Sequence, residues 1–131
     1  MLLFNKKKRA ELKESRKKLN KLWEMYDSGE LVESDYNTFV LCDYASGVNS
    51  EGHSGWFLNT ENTEGKETLI KYISTLKELL PKHLYDNLER AFLSYNTEKE
   101  YDVCESADDY YYNNDREIIE YIQEIAKRLE P

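Results

Sequence analysis

The sequence predicts an all-α fold, a single compact domain of about five to seven helices, and three observations carry that expectation. Apolar residues recur at spacings of three, four and seven in successive stretches, the signature of amphipathic helices. No stretch sustains the apolar–polar alternation of a half-buried strand. Ser, Asn, Gly and Pro stand where such helices would start and stop. The chain has 131 residues, 40% of them hydrophobic, which is enough for a real core. Its 11 tyrosines and 13% aromatic content are unlike a disordered segment.

The first helix is expected from about Lys6 to Asp27. Leu12, Leu19, Leu22, Trp23 and Tyr26 form its apolar stripe, nine Lys/Arg crowd its other faces, and Ser28-Gly29 stops it. Residues 1–29 are therefore read as a basic amphipathic helix and 30–131 as a helical domain, the two packed together. A second helix should begin after Ser34 and reach about Val48, with Tyr36, Phe39, Val40, Tyr44 and Val48 on its apolar face and Asp43 intruding there.

The segment Val48-Asn49-Ser50-Glu51-Gly52-His53-Ser54-Gly55-Trp56-Phe57-Leu58-Asn59 reads as a folded, packed loop. It combines residues tolerant of left-handed geometry with a Trp-Phe anchor. A third helix is predicted from about Glu64 to Leu80, with Leu69, Tyr72, Ile73, Leu76, Leu79 and Leu80 in clean helical period. Pro81 ends it and suits the first turn of a fourth, Lys82 to Tyr95, burying Leu84, Leu88, Ala91, Phe92 and Tyr95.

Residues 96–105 are expected to be irregular. Ser106-Ala107-Asp108-Asp109 and Asn114-Asp115-Arg116-Glu117 have capping-box spacing, opening a short helix and then a last one to about Leu129. Of Tyr110, Tyr111 and Tyr112, at least one must face solvent, because neighbours on a helix are about 100° apart.

Charge is distributed unevenly. Residues 1–23 hold nine basic and two acidic residues, net +7; the remainder holds nine basic and 24 acidic, net −15, so the whole chain is −8. Glu98, Glu100, Asp102, Glu105, Asp108, Asp109, Asp115, Glu117 and Glu120 lie within 23 residues, opposed only by Lys99 and Arg116. Such a field repels phosphates and attracts basic protein surfaces, so no direct nucleic acid binding by this acidic body is expected.

The basic block could take nucleic acid, anionic lipid or the acidic face of a second copy, which keeps a homodimer among the expectations. An ordinary solvated helix face is the favoured reading of that block. No run approaches a membrane span of about 20 apolar residues. The start lacks the order of a secretory signal, and with only Cys42 and Cys104 the expected location is cytoplasmic, with both thiols reduced.

Val48, Asn49, Gly52, Trp56, Phe57 and Asn59, followed by two helices and then Asp108-Asp109-Tyr110-Tyr111, resemble a family of small bacterial all-helical domains, largely of unknown function, that includes DNA-mimic proteins. That family's loop runs apolar-Asn-Asn-Gly-Gly-Phe-x-Gln-aromatic-aromatic-x-Asn; this chain departs from it at Ser50, Glu51, His53 and Gly55. The resemblance spans about residues 30–129. It implies a helical domain with Asn49, Gly52, Trp56, Phe57 and Asn59 as its structural loop. As in some members, carboxylates would stand in for the phosphates of DNA.

No nucleotide-binding glycine pattern, nucleophile elbow or Cys-His signature is present, and His53 and His83 lack spaced partners for zinc. No enzymatic activity, cofactor or metal is expected. The expected function is an acidic protein-binding module, in its sharper form a DNA mimic on a transcription factor or nucleoid protein. The alternatives are an immunity protein that neutralises a toxin, and a helical domain without mimicry.

Overall fold

The computed structural model describes residues 33–128, with side chains described for 36–122. The basic first helix and Leu129 lie outside the described residues. Within them the chain is helical, with no strand: α1 Glu33–Glu64, α2 Lys66–Leu79, α3 Lys82–Ser94, α4 Glu100–Asn114 and α5 Arg116–Arg128. The described residues fall into two compact units, one of 33–46 with 116–128, the other of 47–115.

In the first unit, Phe39, Val40, Leu41, Cys42, Tyr44 and Ala45 on α1 and Ile118, Ile119 and Ile122 on α5 are buried. They include Phe39, Val40 and Tyr44 of the stripe expected of the second helix, whereas Tyr36 of that stripe is half-buried. The Cys42 thiol is pushed up to about 12 by burial, with the Asp43 charge adding to it.

The second unit is built around α3, which packs along α4 and more lightly against α2. Leu69, Tyr72, Ile73 and Leu76 are the buried stripe of α2, and Leu84, Leu88 and Ala91 that of α3, as their spacing predicts. Between them Leu80 is extended (φ −83, ψ 148), the conformation a following proline imposes, and the Leu84 and Tyr85 amides donate to the Pro81 carbonyl at 3.0 Å. An aromatic cluster joins α1 to α3: Phe57 meets Phe92 and Tyr95 with centroids 5.3 Å from each, and the Tyr95 hydroxyl donates to Glu61 at 2.6 Å.

Three expectations need correction. The loop at 48–59 is helical: α1 runs through it, interrupted at a single non-helical residue, Gly52 (φ 74, ψ 177). Residues 96–105 are not irregular throughout, because α4 begins at Glu100 and leaves only a short turn in which Asn96 takes a left-handed φ of 65. Ser106 therefore lies mid-helix and opens nothing. The second box is displaced too: Asn114 closes α4 by donating back to the Tyr110 carbonyl at 2.8 Å, and α5 starts at Arg116.

Candidate protein-interaction surface

α4 carries acids on two opposite faces, and they do different things. Facing inward, Asp108 accepts from the backbone N–H of His53 at 2.8 Å, and the same oxygen lies 2.7 Å from His53 Nδ1. The break at Gly52 explains the first bond: a helix restarting at residue 53 has amide donors without intrahelical partners, and a carboxylate is the favoured cap there. Asp108 supplies it from a separate helix, 55 residues away in sequence. His53 is fully buried, its ring edge-on to Tyr111 at 6.0 Å.

One turn before Cys104, Glu100 acts as a second bracket. One oxygen accepts from Ser54 Oγ at 2.5 Å, and the other from the Asn96 amide at 2.7 Å, so a single carboxylate ties the α3–α4 turn to α1. Tyr111, one turn beyond Asp108, is buried, while Tyr112 is half-buried and donates to the Val48 carbonyl at 2.9 Å.

The outward face is different. Asp102, Glu105 and Asp109 are exposed and make no ion pair or hydrogen bond among the described residues. At about 100° and 1.5 Å per residue they fall within about 60° of one another along about 10 Å of axis. Tyr101, 77% exposed, flanks this stripe on one side and Tyr110, 37% exposed, on the other. Tyr110 also lies 2.8 Å from His83 Nδ1 on α3, and Arg90 of α3 reaches Ser106 on the stripe's edge at 3.4 Å.

Of the nine acids singled out by sequence, then, α4 gathers Asp102, Glu105 and Asp109 outward and turns Glu100 and Asp108 inward. Glu98 is exposed in the turn that precedes α4, and Asp115 is 4% exposed at its end. Glu117 and Glu120 are exposed on α5, where Glu120 pairs with Arg116 at 2.9 Å.

Of the structural motif, Gly52 makes the break, Trp56 and Phe57 are buried, and Asn59 donates to Glu51. Asn49 is half-buried. The His53–Asp108 and Ser54–Glu100 pairs escaped sequence reasoning because no local pattern marks a partner 55 or 46 residues away.

Among the described residues no three His, Cys, Asp or Glu side chains are placed to hold a metal ion, and no helix is long and apolar enough to cross a membrane. Cys42 and Cys104 are both buried and free. Comparison with protein families, curated proteins and solved structures found no match.

Proposed function

We propose that this protein is a non-enzymatic, acidic protein-binding module whose partner presents a basic surface. What supports the reading is the outward face of α4, where three carboxylates free of internal pairing stand together between two exposed tyrosines. Tyrosine offers a rigid apolar body with a hydroxyl at low entropic cost, and converging like charges steer an oppositely charged partner into contact. In the sharper form of the proposal, the partner is a DNA-binding protein and the carboxylates occupy the site of backbone phosphates.

The test is capture from extract of the source cell with the full chain and with D102N/E105Q/D109N, followed by competition of each captured DNA-binding protein with duplex DNA. The expected result is capture that weakens with salt, is lost in the variant, and is displaced by duplex. Simultaneous binding of duplex and this protein would rule out mimicry while leaving the acidic module standing. Equal capture by the variant would overturn the reading altogether.

A further inference from the structure

We infer that the cleft beside the α3–α4 turn is a binding site for a small aliphatic monocarboxylate, a ligand site separate from the acidic face of α4. The cleft is open, has a largely apolar lining and holds about 470 Å³, a volume usual for small-molecule sites. Its apolar wall is Leu93 of α3 and Val103 of α4. Leu93 is 74% exposed, so a ligand laid against it would take a large apolar side chain out of water. None of the lining residues is aromatic, which suits a hydrocarbon chain rather than a stacked ring.

The polar lining sets the charge of that ligand. Residues 47–115 carry 14 acids and six bases, yet two of those six bases, Arg90 and Lys99, line this one cleft. Neither makes an ion pair among the described residues. Arg90 is steadied by donating to Asn87 Oδ1 at 3.1 Å and to Ser106 Oγ at 3.4 Å. A guanidinium carries more N–H groups than these bonds use, and its planar fork matches a carboxylate. Being held already, it loses little freedom on gripping one.

Lys99 stands at the N-cap position of α4, the positive end of the helix dipole, where a cation is disfavoured and an anion favoured. Ser94 and Thr97 also line the cleft, but their hydroxyls already donate to the Ala91 and Ser94 carbonyls at 2.7 and 2.6 Å. The two cations are therefore the side-chain donors left for a ligand. Against them stands one acid, Glu98, so two positive charges and one negative leave +1. One carboxylate balances that charge. A second negative charge would meet Glu98 and the net −8 of residues 47–115.

The test titrates sodium octanoate into the full chain, with 1-octanol and acetate as controls, and follows backbone amide signals by nuclear magnetic resonance. Octanoate should shift the signals of Leu93, Thr97, Lys99 and Val103. It should bind at least about tenfold more tightly than octanol, which lacks the charge, and than acetate, which lacks the chain. R90Q/K99Q should bring octanoate down to the level of octanol, and Leu93→Ser should weaken it severalfold. Glu98→Gln should tighten it severalfold, a gain that misfolding cannot produce; the remaining amide signals check the fold of each variant. Octanol or acetate binding as tightly as octanoate, no binding at all, or shifts confined to residues 6–21 would overturn the site. So would unchanged octanoate binding in R90Q/K99Q or in Glu98→Gln.

Discussion

At Gly52 the backbone takes φ 74, and a Cβ built there would lie 2.5 Å from Asp108 Oδ2. Alanine therefore meets two penalties, a positive-φ extended conformation open essentially to glycine alone, at about 1–3 kcal/mol, and displacement of the carboxylate that caps His53. Gly52→Ala should destabilise by about 2–4 kcal/mol, and Asp108→Ala, which strips the buried imidazole and amide of their acceptor, by a similar amount. Because both act on one contact, the double variant should cost less than the sum of the singles, measured by urea unfolding; strict additivity would mean the carboxylate does not bear on Gly52.

Two further side chains have testable chemistry. Burial first, and the bond to Glu61 second, push the Tyr95 hydroxyl up to about 12. The folded state favours its neutral form, so the stability Tyr95 contributes is complete below the ordinary tyrosine value of about 10 and is lost as pH rises through about 12. An ultraviolet difference titration should find one tyrosine ionising near 12 that is missing in Tyr95→Phe. The Cys42 and Cys104 thiols, both buried and both raised chiefly by that burial, should resist a thiol reagent until denaturant exposes them.

At the scale of elements, α2 and α3 were legible because the same spacing that makes a stripe also decides which side chains are buried, and Pro81 marks the break between them. The segment 48–59 was not. Its glycines read as a loop, yet only Gly52 leaves helical space, while Gly47 is needed for a different reason: the Trp56 ring packs against the place a Cβ would occupy. That contact and the Asp108 cap come from residues nine and 56 positions away from the glycines, so local propensity could not reveal them. The start of α4 was hidden likewise, because Lys99 at its cap position makes no side-chain capping bond and Glu100 secures the turn from inside the helix.

The α4 surface also makes a prediction about stability. Glu105 and Asp109 are like charges at i, i+4, and Asp102 and Glu105 at i, i+3, each pair unfavourable by about 0.2–0.5 kcal/mol, although Asp102 gains from the helix N-terminus. Neutralising Glu105 and Asp109 with Gln and Asn should therefore raise the thermal midpoint slightly or leave it unchanged, whereas D102N should lower it. A clear loss of stability in E105Q/D109N would mean these carboxylates have internal partners and serve the fold.

Over the whole molecule, the charge is divided: residues 1–23 carry +7, and residues 47–115 carry 14 acids against six bases, net −8. Sequence established that imbalance but not its geometry, since the helix phase of α4 decides which acids face water and which brace α1. Salt is the natural lever on such a surface, because exposed charges are screened over about 8–10 Å at physiological ionic strength while the part-buried brackets are screened much less. The most direct measurement is the dissociation constant for a captured basic partner across a salt series, for wild type and for D102N/E105Q/D109N. Affinity that falls steeply with salt in wild type, and is at least about tenfold weaker and nearly salt-independent in the variant, is the predicted result. Superimposable curves for the two proteins would contradict it.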